Sequence, residues 1–189
     1  MCARLEVEMA RKAYEIREVE IPEGVSVEVR GMTVRVKGPK GVLEKDFSHA
    51  RGVILRVEDG KVIVESYFPK ARQAALVGTI AAHVRNMILG VTRGFRYKLK
   101  VIYVHYPINV KVEKNRIVIS NFLGEKNVRV VEIPQGVKVT VSGQDIVVEG
   151  IDKELVSHVA ARIEEVTRVK DRDRRKFMDG IYIYASEVM

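Results

Sequence analysis

The sequence predicts an α+β fold made of two tandem homologous domains, each an antiparallel sheet packed on one helix. Three observations predict it. Short segments alternate between β-branched and polar residues, the mark of half-buried strands. Each set of such segments is followed by one stretch with apolar residues at helical spacing. The whole pattern is then written a second time.

The duplication can be followed residue by residue. Residues 25–36 read VSVEVRGMTVRV and residues 108–119 read INVKVEKNRIVI. Val25, Val27, Val29, Val34 and Val36 fall on Ile108, Val110, Val112, Ile117 and Ile119 at a constant shift of 83. GPKG (38–41) then lies against NFLG (121–124), sharing only the final glycine. After one added residue, GVILRVEDGKVIVES (52–66) lies over GVKVTVSGQDIVVEG (136–150). There Val53, Leu55, Val57, Val62 and Val64 meet Val137, Val139, Val141, Ile146 and Val148. Alternation is common to all strands, but a shared register over more than 40 residues points to a repeated unit.

The elements follow in order. Gly31, Asp59-Gly60 and Ser142-Gly143 supply turns between strands, because glycine accepts φ > 0 without a steric penalty. In the first copy Pro69 suits the opening turn of a helix, Val77, Ile80, Val84 and Met87 form its apolar stripe, and Gly90 reads as its stop. In the second copy Asp152 suits the N-cap, and Leu155, Val159, Ile163 and Val166 form the stripe. A closing strand follows each helix, GFRYKLKVIY (94–103) and GIYIY (180–184). The expected domains are therefore 17–103 and 104–186, with Val104 to Pro107 as the joint. Laying each helix across its sheet removes both apolar faces from water, worth roughly 1.5–3 kcal/mol per aliphatic side chain.

Charge bounds the partner. Lys and Arg number 33 against 25 Asp and Glu, a net charge of +8 with a pI near 9.6. Such an excess favours nucleic acid or an anionic surface. The single cysteine, Cys2, allows no intrachain disulfide and suits a reducing cytosol. The longest apolar stretch, Ala74 to Ala82, is interrupted by Gly78 and Thr79 and is too short to span a bilayer. The opening MCARLEVEMARK lacks the apolar run of a secretory signal. A cytoplasmic protein with no membrane partner is expected.

Signs of catalysis are lacking. His49, His83, His105 and His158 are scattered, and none has metal-ligand spacing to cysteine or carboxylates. Gly60-Lys61 is followed by Val62 rather than Ser or Thr, and neither a nucleophile elbow nor a dinucleotide fingerprint is present. The expectation is a protein that is not an enzyme and takes no cofactor, metal or small-molecule substrate.

A duplication carries its own control, since parts found in one copy only need a reason beyond the fold. Between helix and closing strand the first copy reads VRNMILGVTRGF (84–95), whereas the second carries RVKDRDRRK (168–176). That run holds Arg168, Lys170, Arg172, Arg174, Arg175 and Lys176 against Asp171 and Asp173. The plainer reading is a helix end laced with salt bridges. An excess of four positive charges survives such pairing, however, and exposed ion pairs contribute only about 0–1 kcal/mol. A phosphate backbone accounts for the cluster, because the planar guanidinium fork fits a pair of phosphate oxygens. Phe177 and Met178 are expected to anchor the run against the core. The second candidate is VKGPKG (36–41), where Lys37 and Lys40 flank Pro39 and the small Gly38 and Gly41 let the backbone approach phosphates; a plain hairpin loop is the alternative. Its counterpart NFLGEK is apolar at Phe122 and Leu123 and is expected to pack between the copies or on a partner. A third basic feature, Arg96, Lys98 and Lys100 on one face of FRYKLK, reads more readily as a solvated strand face.

Taken together, VKGPKG, HVRNMILGVTRGFRYKLKVIYVHYPINV, NFLGEK and DRRKFMDGIYI resemble the universal large-subunit ribosomal protein six family, called protein nine in eukaryotes. The likeness spans about 17–184 and is to the archaeal and eukaryotic branch. The resemblance implies a structural ribosomal protein that binds large-subunit ribosomal RNA through its second domain and tail, near the sarcin–ricin loop and the stalk base. It implies neighbouring ribosomal proteins, those of the stalk base included, as partners. Carried onto this chain, it implies RNA contacts at Lys170, Arg172, Arg174, Arg175 and Lys176, and at Gly38, Lys40 and Gly41. MCARLEVEMARK and the short tail after Tyr184 depart from the family pattern. Two other readings stand beside it: a free-standing RNA-binding or ribosome-assembly factor, and a protein-interaction module working through the NFLG loop. Salt separates the last, because phosphate contacts release counterions and an apolar surface does not.

Overall fold

A computed structural model describes residues 13–170, 172–173 and 175–189. The chain runs β1 (Tyr14–Glu20), β2 (Ser26–Arg30), β3 (Thr33–Gly38), β4 (Gly41–Asp46), β5 (Ile54–Glu58), β6 (Lys61–Tyr67) and α1 (Ala71–Thr92). It continues through β7 (Phe95–Ile102), β8 (Asn109–Glu113), β9 (Arg116–Ser120), a 3-10 turn at Phe122–Gly124, β10 (Arg129–Glu132), β11 (Val137–Ser142), β12 (Asp145–Gly150), α2 (Lys153–Val166) and β13 (Gly180–Val188). Alternation becomes strand as predicted: Val34 and Val36 of β3, and Val62 and Val64 of β6, are fully buried. Asp59 and Gly60 have φ of 50° and 74°, the paired left-handed conformation that joins β5 to β6 in a two-residue hairpin.

Each copy's strands divide into two antiparallel sheets rather than one. In the first copy these are β1-β6-β5 and β2-β3-β4; in the second they are β11-β12-β7-β13 and β10-β9-β8. The chain separates into two compact units, one of residues up to Lys37 with Glu44–Ile88, the other of Gly38–Leu43 with Leu89–Met189. In the first, helix α1 buries Val77, Ile80, Ala81 and Val84, while the strands bury Val19, Val34, Val36, Leu55, Val62 and Val64. In the second, α2 packs on β7, β10, β12 and β13 around Leu99, Ile117, Ile119, Ile146, Val148, Ile163 and Ile181.

Four local expectations change. The strand expected to close the first copy is β7, and it instead pairs with β12 on one side and β13 on the other. It therefore opens the second copy's sheet, and residues 104–107 are a corner inside the second unit, not a joint. Periodicity cannot show this, because it marks a strand without naming its neighbours. Second, α1 runs past Gly90 to Thr92, and Gly94, at φ 84°, is the residue that leaves the helix in the left-handed conformation. Gly90 serves another end: a Cβ there would collide with the Ile151 carbonyl oxygen. Third, the α2 stripe is Val156, Val159, Ala160 and Ile163, with Leu155 exposed and Val166 half-buried. Asp152 caps the helix as expected, accepting from the Glu154 N–H at 2.9 Å.

Fourth, the NFLG loop packs on its own unit. Phe122 is 1 % exposed within the second core and Leu123 packs against the same cluster. The Arg129 guanidinium lies 4.2 Å above the Phe122 ring. The apolar feature that motivated a protein-interaction module is therefore core. By length and composition alone, the 22-residue α1 is long and apolar enough to cross a membrane, but nearly half of that apolar window is buried inside the protein.

Two glycines of α1 give a paired test. A methyl added at Gly78 would meet nothing within 4 Å, so Gly78→Ala should raise stability by about 0.5–1 kcal/mol through helix propensity. Gly90→Ala should lower it by about 1–3 kcal/mol, because a backbone carbonyl must move. Urea unfolding of the two full-length variants should show opposite shifts in midpoint.

Candidate nucleic-acid interface

The basic run forms the irregular segment between α2 and β13, and each end of it is held by a buried polar side chain. At the start, Thr167 is 1 % exposed. Its hydroxyl donates to the Ile163 carbonyl at 3.1 Å and accepts from the Ile181 N–H at 3.1 Å. One side chain thus ties the last turn of α2 to the first residues of β13. At the far end, Asp179 is fully buried. Its carboxylate accepts from the Val104 N–H at 2.7 Å, the His105 N–H at 3.1 Å and His105 Nδ1 at 2.9 Å. Burial pushes the Asp179 carboxyl up, but the hydrogen bonds from the His105 ring and the two backbone N–H groups outweigh it and hold the carboxyl below its ordinary value.

Between these anchors the run is partly structured. Asp173 closes a turn, its backbone carbonyl accepting from the N–H groups of Lys176 and Phe177 at 3.0 and 2.9 Å. Phe177 packs against the second core and stacks on the His105 ring at 4.8 Å between centroids. The Arg172 guanidinium in turn lies 4.9 Å from the Phe177 ring. Arg172, Phe177, His105 and Asp179 form a ladder from solvent to core. Met178, expected to anchor the run, is 56 % exposed and does not.

Most of the predicted cations are exposed and unneutralised. Arg168, Lys170, Arg172, Arg175 and Lys176 are all exposed. Among the described residues only Arg175 has an acid partner, Asp173 at 3.3 Å, and its own side chain is 92 % exposed. The laced helix end therefore does not form among them. Arg174 lies outside the described residues. The third basic feature behaves otherwise. Arg96, Lys98 and Lys100 pair across the sheet with Glu149, Glu187 and Asp145 at 2.6, 2.8 and 3.0 Å. That strand face is internally neutralised.

The GPKG loop has a structural role. The Lys40 N–H donates to the Val91 carbonyl at 2.9 Å, and the Lys40 ammonium donates to the Arg93 carbonyl. Helix α1 has no basic residue in its last turn, so the loop supplies the missing cation at its negative end. Gly38 is required by contact: a Cβ would lie 2.6 Å from Val91 Cγ2. Gly41, at φ 152°, would bring its Cβ 3.3 Å from Ile151 Cδ1. Lys37 is exposed and carries no ion pair among the described residues. The loop's contacts run to the end of α1 and to Ile151, those of the basic run to the His105 corner. No hydrogen bond or ion pair joins the two among the described residues.

Residue-level reading missed Thr167, His105 and Asp179, which hold the run without themselves being part of its charge. An Asp immediately before the apolar GIYIY was the available signal, since a carboxylate beside a buried strand requires donors. Among the described residues no group of His, Cys, Asp and Glu could hold a metal ion.

Asp179→Ala leaves two N–H groups and a ring nitrogen without their acceptor and should cost about 1–3 kcal/mol in chemical unfolding. The pH signature has a definite sign. A carboxyl held low in the folded state stabilises fully above its unfolded value of about 4, and the contribution fades as pH falls through the folded value. The stability gap between the native chain and Asp179→Asn should narrow below about pH 4.

Comparison with known proteins bears on this arrangement. A family model described as ribosomal protein L6 matches twice, at residues 21–94 and 106–180, one match for each repeat. The large ribosomal subunit protein uL6 of Aeropyrum pernix is 62% identical over 181 residues, covering 96% of this chain and 100% of that protein. The protein of the same name from Desulfurococcus amylolyticus is 61% identical, covering 93% and 97%. That from Ignicoccus hospitalis is 53% identical, covering 96% and 100%.

Proposed function

The chain belongs to the ribosomal protein L6 family, and on that premise we propose that it is a structural, non-enzymatic constituent of the large ribosomal subunit that binds ribosomal RNA. It works in the cytoplasm as part of the ribosome. The RNA is held by its phosphate backbone, through Arg168, Lys170, Arg172, Arg174, Arg175 and Lys176. Lys37 and the GPKG loop with Gly38, Lys40 and Gly41 are secondary contacts. The binding place is near the sarcin–ricin loop and the stalk base, beside the ribosomal proteins of that region.

One observation supports this reading above the rest: Arg168, Lys170, Arg172, Arg175 and Lys176 are exposed, with Arg175 alone paired to an acid among the described residues, on a segment fixed at both ends by buried polar side chains. Surface ion pairing explains the cations of β7 and does not explain these. Cations on a segment held at both ends have less conformational entropy to lose on meeting phosphates than those of a free tail. RNA of this kind is recognised by shape and backbone more than by base edges.

Sucrose-gradient sedimentation of native extract should place the chain in the large-subunit peak, whereas a free-standing factor would leave mature subunits. Replacing Arg172, Arg174 and Arg175 together with alanine should weaken binding to large-subunit ribosomal RNA and reduce the salt slope by about one unit per lost phosphate contact. Thermal stability should barely move. Unchanged RNA affinity would refute the assignment to the run.

A further inference from the structure

We propose that the first repeat carries a second, independent site for the phosphate backbone of ribosomal RNA, formed by His49, Arg51, Lys70 and Arg72. It rests on the RNA-binding reading above and extends it to a surface with no part in the basic run. The site is a cavity of about 350 Å³ lined by His49, Arg51, Arg72, Gln73 and Leu76. Lys70 stands two residues from Arg72 at the same end of α1. His49, Arg51, Lys70 and Arg72 are all exposed, and the three long cations make no ion pair among the described residues. The nearby acid, Asp46, is engaged by the Ser48 hydroxyl at 2.7 Å and the Ser48 N–H at 3.0 Å.

The duplication again provides the control. The buried residues Val77, Ile80, Ala81 and Val84 of α1 match Val156, Val159, Ala160 and Ile163 of α2 at a shift of 79. The preceding strands match at a shift of 84, as Val62 does with Ile146. The first copy therefore holds five extra residues between strand and helix, and they bring in Lys70 and Arg72. The two helices then open with opposite charge. Helix α2 starts with Asp152 as cap and Glu154 in its first turn. Helix α1 has no acid in its first turn. Cations at this end oppose the helix dipole and cost stability unless an anion neutralises them. At Arg51, the second copy has the uncharged Gln135 one residue before the matching glycine. Added cations in a cavity whose lining holds no acid fit a phosphodiester backbone, and arginine forks suit its paired oxygens.

Positioning is built in. The Gln73 side chain accepts from the Lys70 N–H at 2.9 Å, fixing the start of the helix. Gly52 leaves room for the same side chain, since a Cβ there would collide with Gln73 Nε2. The Ser66 hydroxyl donates to the Gly52 carbonyl at 2.6 Å, so the Arg51 loop is tied to β6.

The test uses the full chain and protein-free large-subunit ribosomal RNA, with affinity measured across a salt series. The variants are Arg51→Ala with Arg72→Ala, the triple alanine variant of 172, 174 and 175, and all five together. Removing the two arginines should weaken binding roughly tenfold and make the salt slope shallower by about two, with the same loss in the triple background. Lys70→Glu alone, on an exposed side chain at the helix start, should weaken binding without lowering the thermal midpoint and covers the case of a double variant that fails to fold. If the native chain binds RNA in a salt-sensitive way and the triple variant loses affinity while both first-repeat variants do not, this inference falls and the proposed function stands. If the native chain shows no salt-sensitive binding, both fall. If the first-repeat variants lose binding to poly-glutamate but keep it to RNA, the surface serves an acidic protein and the RNA assignment is overturned.

Discussion

The buried carboxylate of Asp179 is the constraint on which the functional surface depends. A segment with this density of positive charge packs against the core through few of its own side chains, Val169 being the buried one among the described residues of 168–176, and its charges repel one another. Its geometry comes mainly from its ends. Asp179 gathers three donors from the 104–105 corner and Thr167 joins α2 to β13, so the segment leaves and enters the unit at defined points. A carboxylate in this setting is stable only because its donors are supplied by the same corner it fixes. Each group would be costly to bury without the other.

A similar sharing of partners appears at both helix ends. Neither α1 nor α2 has a basic residue in its last turn. Lys40 reaches the Arg93 carbonyl after α1, and Arg129 reaches the Val166 carbonyl at the end of α2 while pairing with Glu125 at 2.8 Å. These two cations come from, or just after, the loop regions that the duplication places in register, GPKG and NFLGEK. The structure thus sorts the positive charges by role. Some close helices, some are neutralised across the outer face of the β7 sheet, and some have no acid partner among the described residues. The last group keeps the most electrostatic attraction for a polyanion, and it includes most of the described cations of 168–176 and those around the start of α1.

Much of this was legible in the residues. The strand alternation, the stripe of α1 and the capping Asp152 follow from the spacing and propensity of near neighbours, and the two copies from the same local patterns recurring at a shift of 83. The basic run was visible as a difference between copies. The weight given to Lys40 and to Phe122 was not recoverable in the same way. A lysine between glycines reads as a phosphate ligand alone until the Arg93 carbonyl beside it shows a structural task as well, and an apolar loop reads as an interface until its ring is found in the core. The cations near α1 were overlooked because Arg51 and Arg72 are 21 positions apart and neither lies in a dense charge run.

Local pattern therefore sufficed for what is strand, what is helix and where charge accumulates, since each is a property of near neighbours along the chain, and comparing those local patterns along the chain showed what repeats. Tertiary structure alone decided that β7 serves the second repeat, that Arg96, Lys98 and Lys100 are neutralised, and that Asp179 holds the basic segment. The physical reason is common to all three. Strand partners, ion pairs and buried hydrogen bonds join residues far apart in sequence, such as Arg96 with Glu149 or Val104 with Asp179, and their existence depends on register and burial that no single segment encodes.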